Sequence, residues 1–94
     1  MTELLKDKIT VPDGVLVREL SGESVLLNLN SETYFGLDGV GTRMWAVLAT
    51  SPSMEAAFDI LLAEYEVEPE RLRADLHTFI QKLVELGLLN VHVH

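Results

Sequence analysis

Along this chain the apolar positions come first in short dense runs and then at helical spacing, and the change of period falls between residues 37 and 40. VLVREL (15–20) and SVLLNLN (24–30) are rich in β-branched and apolar residues, and Ser21-Gly22-Glu23 between them supplies the glycine a tight hairpin loop needs. Asn30-Ser31-Glu32 is a second polar break. Thr33-Tyr34-Phe35-Gly36-Leu37 then reads as a third short strand, so the pattern predicts a three-stranded antiparallel meander. Asp38 fits a helix N-cap, because its carboxylate can accept the free amide protons of a first turn. Val40, Met44, Val47 and Leu48 follow at helical spacing, with Trp45 beside them, until Thr50-Ser51-Pro52 stops the run. Ser53 opens a second helix with Ala57, Ile60 and Leu61 on one face, ending near Glu66 to Glu68. Pro69 suits the first position of a third, whose stripe of Leu72, Leu76, Phe79, Ile80, Leu83 and Leu86 runs to a C-capping Gly87.

Strands followed by helices make an α+β order, a three-stranded antiparallel sheet and then three helices. Three helices on a small sheet also describe a winged helix-turn-helix-like arrangement, although here the sheet precedes the helices. Residues 1–13 alternate acid and base and close on the turn Pro12-Asp13-Gly14, which reads as a flexible arm. A single domain is expected over 14–90, and the tail 91–94 within LLNVHVH either adds a short strand or frays. With 94 residues there is room for one core, and 48% hydrophobic against 23% charged residues is the balance of a chain that folds.

Charge narrows the partners. Fifteen acidic residues against seven basic ones give a formal net charge of −8, a field that repels phosphate backbones and anionic membranes, so neither nucleic acid nor membrane is expected as a partner. The chain has no cysteine, which removes thiolate nucleophiles, disulfides and cysteine metal sites and suits a reducing cytoplasm. The N-terminal MTELLKDKITVPDG lacks the apolar centre of a signal peptide, so a cytoplasmic location is expected.

Candidate chemistry is sparse. Gly36-Leu-Asp-Gly-Val-Gly41-Thr42-Arg43 nearly spells a phosphate loop, but it lacks the lysine, and Asp38 puts a carboxylate where the anion would sit. The glycines read instead as a tight strand-to-helix turn. His92 and His94 would share one face of a strand but lack a third ligand nearby, and Glu64, Glu66, Glu68 and Glu70 lack the glycine and bidentate spacing of a calcium loop. No nucleophile-base set or carboxylate dyad stands out, so no catalytic residue, metal or cofactor is expected. A DNA-reading third helix would use Arg71 and Arg73, yet Glu68, Glu70 and Asp75 flank them and cancel their charge. What remains is the third strand. As the last of the meander it offers an unpaired edge to an extended peptide, and its alternation places Tyr34 and Phe35 on opposite faces.

The run LNLNSETYFGLDGVGTRMW, Leu27 to Trp45, resembles the signature of the PqqD-like family, the small peptide chaperones also called precursor-peptide recognition elements. The likeness covers roughly residues 14 to 89, including an ending at Leu83 to Leu89. It implies a winged-helix-like domain that binds the leader segment of a ribosomally made precursor peptide as an antiparallel strand added to the third strand. The protein would then present the precursor to a leader peptidase, cyclase or other maturation enzyme, most like the stand-alone proteins of lasso-peptide clusters. Carried onto this chain, Glu32, Thr33, Tyr34, Phe35, Gly36 and Leu37 would supply the edge and near wall. Leu72, Asp75, Leu76, Phe79 and Ile80 would supply the helix wall, with Arg71 and Arg73 at the rim. The competing reading is a winged-helix DNA-binding regulator. Self-association through the same edge stays open, and Thr33→Pro is the substitution expected to block strand addition.

Overall fold

The computed structural model describes residues 8–92. Strands β2 (Val15–Leu20), β3 (Glu23–Asn28) and β4 (Thr33–Leu37) form an antiparallel sheet in the order β2-β3-β4. Ser21 and Gly22 join the first pair with φ of 57° and 82°, the left-handed values a two-residue hairpin uses to match the twist of its strands. The second turn is organised by Asn28. Its Oδ1 accepts the amide protons of Asn30 at 2.9 Å and Ser31 at 3.2 Å, while its Nδ2 donates to the Gly87 carbonyl at 2.6 Å. One nearly buried side chain thus both shapes the β3–β4 turn and ties it to the end of the last helix.

Helices α1 (Gly39–Thr50), α2 (Met54–Glu64) and α3 (Pro69–Glu85) follow. Asp38 Oδ1 caps α1 by accepting the Gly41 amide proton at 2.8 Å, and Ser53 Oγ caps α2 through Ala56 at 3.2 Å. Gly87, at φ 74°, ends α3 while the Leu88 amide reaches back to the Leu83 carbonyl at 2.8 Å. Every second residue of β3 (Ser24, Leu26, Asn28) faces inward under the helices, and Leu26, Leu48, Met54, Leu61, Leu76 and Leu83 are almost wholly enclosed. Trp45 does drop into this core, at 5% exposure. Ser24 and Thr42, both buried polar groups, satisfy each other at 2.8 Å and pin β3 to α1.

The loose arm expected before Gly14 requires correction. Lys8–Thr10 form a strand, β1, that pairs antiparallel with β5 (Asn90–His92) through Lys8 to His92, Ile9 to Val91 and Thr10 to Asn90. Ile9 is 6% exposed, so this segment adds to the core, and Thr10 Oγ1 meets His92 Nε2 at 2.9 Å. Three residues are too few to show a strand period, and the ladder that holds both short strands joins opposite ends of the chain, with Lys8 also bridging Ser53. The remaining arm, residues 1–7, and His94 lie outside the described residues.

Arg43 on α1 and Glu64 at the end of α2 form a two-bond ion pair across the helix ends. The hydrogen bond from Arg43, reinforced by its charge, holds the Glu64 carboxyl below the usual carboxylate value, and Glu64 raises Arg43 in return. A carboxyl lowered on folding adds stability above its unfolded value of about 4.3 and loses it as pH falls through the folded one. Glu64→Gln should therefore make denaturant stability fall less than wild type between about pH 5.5 and about pH 3, as paired urea melts would show.

Candidate functional site: an open strand edge beside an apolar groove

The hairpin geometry settles which backbone groups of β4 are free. A two-residue loop makes its flanking pair, Leu20 and Glu23, exchange both backbone bonds, and such pairs recur at every second residue. The Leu29 amide donating to the Gly14 carbonyl at 2.9 Å keeps that phase. Glu23, Val25 and Leu27 therefore bond toward β2, which leaves Ser24, Leu26 and Asn28 to bond Leu37, Phe35 and Thr33 on β4. Tyr34 and Gly36 direct their N–H and C=O groups away from the sheet. Among the described residues no strand pairs there, because β5 lies against β1 and the sheet order ends at β4. The Thr33 amide belongs to the inner ladder, so Thr33→Pro is the wrong probe of the edge.

Beside this edge runs a groove of about 580 Å³. Phe35 and Leu37 enter it from the strand, and Leu72 and Phe79 from α3. Met44 of α1, with Tyr65 and Val67 of the α2–α3 connection, closes the apolar floor. Asp75, Thr78 and Lys82 form the helix rim, and Lys82 is the one cation among the lining residues. Asp38 and Gly41 stand at one end, where the capping bond already engages the carboxylate, and Val40 adds an exposed apolar side chain.

Of the residues singled out in the sequence, Phe35, Gly36, Leu37, Leu72, Asp75 and Phe79 meet in the groove. The others go elsewhere. Glu32 sits in the turn before β4 with φ 59°, Thr33 pairs with Asn28, and Tyr34 turns its ring to the outer face at 72% exposure. Leu76 and Ile80 point into the core at 1% and 2% exposure. Arg71 lies on the exposed side of α3 at 3.8 Å from Asp75, and Arg73 stacks over the Phe58 ring of α2, 5.0 Å from its centre. The stripe on α3 was visible in the sequence, but its division between core and groove was not. Met44, Tyr65, Val67, Thr78 and Lys82 were missed because their role depends on how α1 and the α2–α3 connection pack against β4. Among the described residues, no group of three or more His, Asp or Glu side chains gathers as for a metal ion, and no helix is long and apolar enough to cross a membrane.

A strand edge with two outward-facing residues, flanked by an apolar trough, is the geometry of a module that takes an extended peptide as an additional strand. The chain belongs to the PqqD family: the family model of coenzyme PQQ synthesis protein D matches residues 23–89. TbiB1 in complex with the TbiA(beta) leader peptide is a solved relative, 37% identical with a TM-score of 0.80, and the match covers 86% of this chain and 94% of that one. A lasso peptide synthetase B1 complexed with the leader peptide shares the fold at 23% identity and a TM-score of 0.76, over 88% of this chain and 98% of that one. No curated protein matches.

Proposed function

We propose that this chain binds the leader segment of a ribosomally made precursor peptide as a strand antiparallel to β4, without catalysing a reaction itself, and presents the precursor to a maturation enzyme of lasso-peptide type in the cytoplasm. The observation that carries this reading is the open edge at Tyr34 and Gly36 beside the groove lined by Phe35, Leu72 and Phe79. Backbone bonds at the edge supply affinity, and the trough supplies side-chain selection. The likeness to TbiB1, whose solved complex holds a leader peptide, supports it. In this reading the arrangement is winged-helix-like in outline, with α3 turned to line a peptide groove.

The DNA-binding alternative loses its basic surface. Arg71 is near Asp75 and Arg73 is stacked on Phe58, within a chain of net charge −8. Fluorescence polarisation with labelled candidate leaders and with duplex DNA tests both readings. Leader binding should change less than about threefold between roughly 50 and 200 mM salt, because strand addition releases few counterions. Duplex binding that falls steeply over that range, with no leader bound, would reverse the conclusion.

A further inference from the structure

Among the described residues, the three helices cover one face of the sheet and leave the other open. Residues paired across strands share a face, so Leu16, Leu27 and Tyr34 form one row on the outer face and Arg18, Val25 and Gly36 the next. Tyr34 is 72% exposed and Leu16 47%, while Leu20 near the far end is 80% exposed and Leu29 at the β3–β4 turn 60%. Five of the nine large hydrophobic residues exposed among the described residues thus belong to this sheet face or its turn. Apolar side chains scattered singly need no explanation, but a contiguous set on one face marks a contact surface.

Direction identifies the occupant. A leader added antiparallel to β4 enters beside Leu37 and leaves beside Thr33, so the residues that follow it emerge at the Thr33 end. The Leu16–Leu27–Tyr34 row is the outer-face row adjoining that end, and Leu29 sits at the turn beside it. We propose that this row is the docking surface for the enzyme that acts on the peptide as it leaves the groove, an inference that rests on the leader-binding reading above. The partner's matching surface is apolar with a basic surround. Arg18 and Glu23 are the charged side chains on the outer face, which is close to neutral within a chain of net charge −8. That charge also argues against stacking a second copy on this face, because the copy brings the same repulsive field.

The test uses the purified chain, a fluorescent candidate leader and the leader peptidase that works on the same precursor. Leu16 stands on β2, two strands from the groove, and its 47% exposure allows a charge there without unfolding, which circular dichroism would verify. Leu16→Glu should keep leader affinity within about twofold, yet weaken peptidase docking to the immobilised chain, measured without leader, by about tenfold or more. It should raise by a similar factor the concentration needed to stimulate precursor cleavage. Val84→Glu, a comparably exposed apolar site on α3, should change neither reading. Docking and stimulation by Leu16→Glu equal to wild type would overturn the proposal, as would failure of the wild type to dock. Sedimentation that finds a wild-type dimer broken by Leu16→Glu would assign the face to a second copy and overturn it as well. Docking that remains sensitive to Leu16→Glu when the wild type binds no leader would sink the leader-binding reading while upholding the surface.

Discussion

Gly36→Pro should strongly weaken leader binding while leaving the protein folded. The Gly36 amide points out of the sheet, so proline removes a donor that only the guest strand would use, and its ring occupies the space where that strand would approach. Losing one net hydrogen bond costs about 0.5–1.5 kcal/mol, and excluding the neighbouring pair roughly doubles the effect, so affinity should fall by about ten- to a hundredfold. Beyond the two chain neighbours, no atom lies within 4 Å of where a Cβ would stand at Gly36, so a side chain there meets no packed core atom. Thr33→Pro is the informative contrast. It removes an inner-ladder bond to Asn28, beside the side chain that holds the turn to Gly87, and should lower the melting temperature. Polarisation and thermal melts on the two variants separate the roles, and unchanged leader affinity in a folded Gly36→Pro protein would remove β4 as the docking strand.

The second large effect should fall on stability. Leu76→Ala hollows a site that is 1% exposed and should destabilise the fold by about 2–5 kcal/mol, leaving leader affinity of the remaining folded protein within about twofold. Phe79 is one helical step away but half-buried and lines the groove, so Phe79→Ala should show the reverse balance, a modest loss of stability and a clear loss of affinity. Denaturant titrations paired with polarisation at temperatures where both variants are folded would distinguish the two. Equal affinity losses would mean that Leu76 reaches the guest after all.

These contrasts show why the site was only partly legible. Leu72, Leu76, Phe79 and Ile80 form one apolar stripe in the sequence, and periodicity treats them alike. In the folded chain Leu76 and Ile80 meet the core, while Phe79 and Leu72 also border the trough that β4 and α1 leave beside α3. Lys82 reads locally as an ordinary helix-terminal cation, and only the packing of α3 beside β4 and α1 turns the face it shares with Asp75 into a groove rim. Strand alternation is local, so it places Tyr34 and Phe35 on opposite faces, as they stand in the fold, but it carries no sign that the outer face stays exposed.

By itself the sequence determined the three strands of the meander, the three helices and their caps, because the hairpin glycine Gly22, Asp38, Ser53, Pro69 and Gly87 act on neighbours within a few residues. Its run from Leu27 to Trp45 also carried the family likeness. Only the tertiary structure decided that β1 pairs with β5, that β4 keeps an open edge, and which side of the α3 stripe faces the groove. Those features arise from contacts between segments far apart in the chain, whose hydrogen-bond phase and packing angles no local pattern encodes.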